Sequence, residues 1–172
     1  LRSIHAALLR AGHDVVLFTA RPPADASAFA GRALPLDRLR SEARSGGPPD
    51  VVYERYALGS ADGILFAGAV GAVHALEINA PLSEEARRYR PDTTTESDAT
   101  TERRLFANTD LPCVVSKALG RRVAALRRDP GDVLLLRNGF EAALFADLPK
   151  RRAAVSGRAE FAFLGRPKPW HG

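Results

Sequence analysis

Apolar positions along this chain come in short blocks that switch between two spacings. Leu1, Ile4, Leu8 and Leu9 recur at helical spacing across Leu1 to Ala11, and Gly12 follows as a helix stop. The next block, HDVVLFT from His13 to Thr19, is short, rich in β-branched residues and bounded by turn residues, which predicts a buried strand. A helix leading into a strand is the second half of a βαβ unit, so a first strand and its loop are expected before residue 1. Pro and Gly crowd Ala20 to Pro49 and predict loops around one short helix over Leu36 to Arg44. Asp50 to Glu54, DVVYE, predicts a strand, and Gly59 to Val70 a helix with Ile64, Leu65 and Phe66 in its middle.

The stretch VHALEINAPL, Val73 to Leu82, reads as a buried strand running into a loop, so that Glu77, Asn79 and Pro81 gather at its carboxyl end. Ser83 to Arg90 has an N-cap serine, carboxylates in the first turn and arginines later, the pattern of a helix start. Pro91 to Thr101 is polar and threonine-rich with no clear period, and Glu102 to Ala107 resumes a helix with Leu105 and Phe106 inward. LPCVVS, Leu111 to Ser116, predicts another buried strand, with Ser116 set to cap a helix from Lys117 to Arg128. Asp132 to Leu136 is the next strand, and Asn138-Gly139 a turn. Strands alternating with helices predict an α/β fold, a Rossmann-like parallel sheet with helices on both faces, truncated at both ends. The expected organisation is a first domain over 1–145 lacking its first strand, a linker over 146–159, and the first strand and loop of a second domain over 160–172.

Composition agrees with this picture, since 172 residues at 45% hydrophobic and 26% charged suffice for a globular core. No run approaches the ~18 apolar residues of a spanning helix, and the amino end lacks the cleavage site of a signal peptide. The first residue is Leu and Met is absent, which predicts a piece of a longer chain. The single Cys113 excludes an internal disulfide framework and a cysteine metal cage and fits a reducing compartment. A cytoplasmic location is therefore expected, with peripheral membrane contact compatible with the charge. A net charge of +5 and a pI near 10.0 suit nucleic acid, anionic lipid or phosphorylated small molecules. The arginines, however, are scattered through helical segments without interleaved aromatic residues to stack bases, which argues against nucleic acid.

Candidate chemistry gathers where open parallel sheets bind ligands, outside the carboxyl ends of the strands. Glu54, Arg55 and Tyr56 follow one strand; the plainer alternative is that Arg55 pairs with a carboxylate and Tyr56 packs. Glu77 and Asn79 share a strand parity and project to one side, with Ile78 and His74 to the other. His74, His5 and His13 read as structural, and the four histidines include no pair at metal-ligand spacing, so no metal is expected. Ser116 lacks a surrounding G-x-S-x-G, which favours capping over nucleophilic attack, although a helix N-terminus there could receive an anion. Cys113 lies in an apolar strand and reads as buried. In the terminal GRPKPWHG, Gly165 permits close backbone approach while Arg166 and Lys168 suit phosphate groups.

In order and spacing, ERYALGS, HALEINAPLSEEA, VVSKAL, RNGFEAALF and FLGRPKPWHG resemble the amino-terminal half of family 4 glycosyltransferases of the GT-B fold. The resemblance implies two facing Rossmann-like domains, an acceptor held mainly by the first and a nucleotide-sugar donor by the second, and sugar transfer with retention and without a metal or other cofactor. It implies donor contacts at Gly165, Arg166 and Lys168, an interdomain turn at Asn138-Gly139, and an acceptor cleft at Glu54, Arg55, Tyr56 and Asn79. It also implies that Asn79 and Glu77 are the catalytic candidates; Asn79 stands where many relatives carry a His, and an amide can bind a hydroxyl but is no general base. His171 stands where relatives commonly carry a Lys. The acceptor could be a saccharide, a lipid-linked group or a small molecule. Alternatives are a non-catalytic remnant or partner-binding module of the same fold, and a different nucleotide-binding enzyme on it.

Overall fold

The computed structural model describes residues 2–19, 33–39, 41, 47–139, 142, 146–147 and 163–165. Its centre is a four-stranded, all-parallel sheet of β3 (Val51–Arg55), β4 (Val73–Ile78), β5 (Leu111–Val114) and β6 (Leu134–Leu135), side by side in sequence order. A separate parallel pair joins β1 (Leu17–Thr19) to β2 (Ala33–Pro35), and helix α1 (Arg2–Arg10) precedes it. Between the strands of the main sheet run α2 (Asp62–Val70), α3 (Leu82–Tyr89), α4 (Glu96–Asn108) and α5 (Lys117–Ala124). This is a Rossmann-like α/β architecture.

Because each step from β3 to β6 advances to the next neighbour in the same direction, right-handed crossovers put every connection on one face. The core confirms it. Leu76 and Ile78 of β4 and Val114 of β5 pack with Leu105 and Phe106 of α4 and Leu119 and Val123 of α5. Burial of each such side chain contributes about 1.5–3 kcal/mol. Close helix-to-sheet approach needs small residues at two points. A Cβ on Gly120 of α5 would lie 3.3 Å from a Val114 methyl, and one on Gly63 of α2 would collide with the Glu54 carboxylate.

Register sorts the strand residues into two faces. Val52, Glu54, His74, Leu76, Ile78, Pro112, Val114 and Leu135 lie on the helix-covered face, and Val51, Tyr53, Arg55, Val73, Ala75, Glu77, Leu111, Cys113 and Leu134 on the other.

Several sequence expectations are corrected. The first strand begins at Leu17 rather than His13, and β2 occupies part of the segment expected as loop; where a short helix is expected over Leu36 to Arg44, a 3-10 turn spans Leu36–Arg38 and Leu39 and Ser41 are α-helical, with residues 40 and 42–44 outside the described residues. Helix α3 starts one residue early, with Pro81 rather than Ser83 at the N-cap. The threonine-rich stretch is ordered: a 3-10 turn spans Pro91–Thr93, and α4 starts at Glu96 through a capping box. There Thr95 Oγ1 accepts from Asp98 N at 3.2 Å, and Thr95 N donates to Asp98 Oδ2 at 2.8 Å. Helix α5 ends at Ala124, four residues before the expected Arg128, as its last carbonyls turn to the tighter bonds from Leu126 and Arg127. Strand β6 keeps only Leu134–Leu135 of the expected five residues, since a 3-10 turn takes Pro130–Asp132. Of the expected strand Glu160 to Leu164, residues 160–162 lie outside the described residues, and Phe163 and Leu164 belong to no strand among the described residues.

Candidate functional site

At the carboxyl end of the sheet, on the face away from the described core helices, β3 and β4 bring four polar side chains together. Tyr53 and Arg55 alternate outward from β3. Glu77 stands directly beside Arg55 in the register, and Asn79 follows just past the end of β4. Tyr53 Oη donates to Glu77 Oε2 at 2.7 Å, and Asn79 Nδ2 donates to Glu77 Oε1 at 2.6 Å. Arg55 Nε lies 3.7 Å from Oε1. The Glu77 side chain is 13% exposed, so it is part-sheltered but reachable.

The protonation states follow from these contacts. Partial burial alone would raise the Glu77 pKa, but the hydrogen bonds from Asn79 and Tyr53 and the charge of Arg55 outweigh it and hold the carboxyl below its usual range. Burial and the adjacent carboxylate push the Tyr53 phenol far above its ordinary value, so it remains a donor. Cys113, paired with Glu77 in the register, is buried, and burial followed by the Glu77 charge raises its thiol pKa. It stays protonated and is a poor nucleophile. The arrangement is thus a clamped, ionised carboxylate beside a guanidinium, suited to accepting hydrogen bonds from a ligand's hydroxyl groups.

Two other expected cleft residues face the core. Glu54 lies on the helix-covered face, with Oε2 at 3.0 Å from His74 Nε2 and Oε1 accepting from Ser60 Oγ at 3.4 Å. Tyr56 is only 7% exposed and belongs to the hydrophobic core, its ring edge-on to Phe106 at 5.3 Å. Its hydroxyl donates at 3.1 Å to Glu102, which is 4% exposed and also accepts from Ser83 N at 2.9 Å and Ser83 Oγ at 2.7 Å. Burial and Glu102 push the Tyr56 pKa far up. The expectation that three consecutive residues line one cleft is therefore corrected for Glu54 and Tyr56: strand alternation sends Arg55 out and its two neighbours in.

His74 is buried, with Nδ1 at 2.9 Å from Thr109 Oγ1 and its backbone N donating to Asp110 Oδ2 at 2.8 Å. His5 is also buried and His13 exposed. Ser116 caps α5, accepting from Leu119 N at 3.2 Å. Asn138 and Gly139 are exposed beyond β6, and residues 140–141, which a turn there would involve, lie outside the described residues. Gly165 is described, whereas the donor-side Arg166 and Lys168 lie outside the described residues. Among the described residues, no three His, Cys, Asp or Glu side chains are placed to hold a metal ion, and no helix is long and apolar enough to cross a membrane.

Sequence reasoning missed Tyr53 and Glu102. Tyr53 shares strand parity with Arg55, a usable signal, whereas Glu102 sits mid-helix, where only the packing of α4 against α3 turns it inward. Compared with models of known protein families the chain matches none, and comparison with curated proteins gives no match.

Proposed function

We propose that this chain is the acceptor-side part of a glycosyltransferase that moves a sugar from a nucleotide-sugar donor to an acceptor, in the manner of the GT-B family its sequence resembles. The observation that carries the reading is the Glu77 clamp. A carboxylate kept ionised by Tyr53, Asn79 and Arg55 stands at the carboxyl end of a parallel sheet, where this architecture binds ligands. Both Glu77 oxygens keep lone pairs free for an acceptor hydroxyl. Asn79 spends one amide N–H on Glu77, which leaves its carbonyl oxygen to accept from a second hydroxyl. In this reading Glu77 orients the acceptor. Gly165, Arg166 and Lys168 would meet the donor diphosphate, where positive charge assists departure of the nucleotide. The transfer proceeds with retention and without a metal.

The test uses a longer chain carrying this sequence with its neighbouring coding sequence, incubated with a panel of radiolabelled nucleotide sugars. The expected result is label transfer to an acceptor, with Glu77→Gln lowering kcat/KM by about tenfold or more, as loss of a charge-assisted hydrogen bond requires. Arg166→Ala should weaken donor binding. Failure of the longer chain to bind any nucleotide sugar would overturn the reading. The 172-residue chain alone is expected to show no turnover.

A further inference from the structure

Arg55 is the most open member of the crest, with 53% of its side chain exposed. It meets Glu77 through Nε at 3.7 Å, longer than a hydrogen bond, and among the described residues no second carboxylate engages its guanidinium. The planar fork is therefore left largely uncommitted. Tyr53, by contrast, spends its hydroxyl hydrogen on Glu77, and Asn79 one of its two amide hydrogens. The charges of Glu77 and Arg55 nearly cancel, so an approaching anion meets no net repulsion, and a neutral ligand leaves the fork without a strong partner. A guanidinium fork matches a phosphate or a carboxylate with two parallel hydrogen bonds.

Spacing sets the size of the ligand. Arg55 and Glu77 are register partners on adjacent strands, which lie about 4.8 Å apart. One ring-sized molecule can span both. We propose that the crest of Tyr53, Arg55, Glu77 and Asn79 binds a polyhydroxylated ligand bearing an anionic group, with Arg55 taking the anion and Glu77 and Asn79 taking hydroxyls. That this ligand is the acceptor rests on the sugar-transfer reading; that the crest binds it does not.

The test is titration of the isotope-labelled chain with four probes, glucose, glucose 6-phosphate, glucuronate and inorganic phosphate, followed by NMR shifts of the Arg55 Nε–H and the backbone amides of residues 53–55 and 77–79. The phosphorylated or the carboxylated sugar should saturate these shifts at least tenfold more tightly than glucose or inorganic phosphate. Which of the two binds better identifies the anion. Arg55→Ala should abolish the preference, and Arg103→Ala, on an exposed part of α4, should leave it intact. Equal binding of glucose, equal binding of phosphate alone, no saturation by any probe, or a preference that survives Arg55→Ala each overturns the inference. Binding without sugar transfer by the longer chain would sink only the transferase reading. Transfer to a neutral acceptor that is indifferent to Arg55→Ala would sink only this one.

Discussion

Glu102 and Glu77 each accept a tyrosine hydroxyl, and they stand in opposite settings. Glu102 is enclosed between α3, α4 and the segment after β3, where it takes three hydrogen bonds, from Tyr56 and twice from Ser83. With Pro81 at the N-cap and no side-chain cap of its own, α3 receives Glu102 at its first turn as a substitute supplied by the next helix. Glu77 is also held by a tyrosine, but its other partners are an amide and a loosely placed guanidinium at the open end of the sheet. The same chemical pair therefore makes an enclosed fastener in one place and a part-exposed clamp at the open end of the sheet in the other. What separates them is access, set by which way the strand residue alternates.

The contrast predicts a graded series. The largest effect belongs to Glu102→Ala, which orphans two buried Ser83 donors and the Tyr56 hydroxyl and should destabilise the chain by roughly 3–5 kcal/mol in denaturant unfolding. A loss near that of a surface substitution would remove its fastening role. Next, Tyr56→Phe should cost about 1–2 kcal/mol and Tyr53→Phe about half as much or less, because one hydroxyl is enclosed and the other lies at the rim. Comparable costs in paired melts would erase the distinction.

The smallest effect is read from pH. The Glu77 pKa is depressed in the folded chain, so its contribution is present above the unfolded carboxylate value and is lost as pH falls through the folded value. Glu77→Gln should therefore flatten part of the acid limb of the stability curve while changing stability at neutral pH by less than about 1 kcal/mol. An unaltered acid limb would mean that the clamp exerts no preference for the ionised form.

Much of the fold was legible because the apolar blocks are long enough to declare a period. VHALEI declares a buried strand by its short apolar run, with His74, Ala75, Leu76 and Ile78 all buried, and the capping Ser116 before a helical run is an unambiguous start. The capping box of Thr95 and Asp98 was also present in the residues but was obscured by neighbouring threonines, which suggest loop by composition. The site was half legible. Glu77, Asn79 and Arg55 follow from position and parity, but reading Glu54, Arg55 and Tyr56 as a contiguous trio ignored the period of two that β3 imposes. Glu102 and Ser83 meet across 19 residues of chain. No local pattern encodes such a contact.

The contacts of His74 have a bearing on how this scaffold can change. Near the start of β4 it meets Thr109 and Asp110 just ahead of β5, joining chain segments 36 residues apart at the foot of the sheet. The longest closure between neighbouring strands is thus secured at the end opposite the crest. Exchanges at positions 53, 55, 77 and 79 then leave that fastening untouched. In the proposed reading of the crest, recognition can drift from one ligand to another while the pairing of β4 with β5 stays held from the opposite end of the sheet.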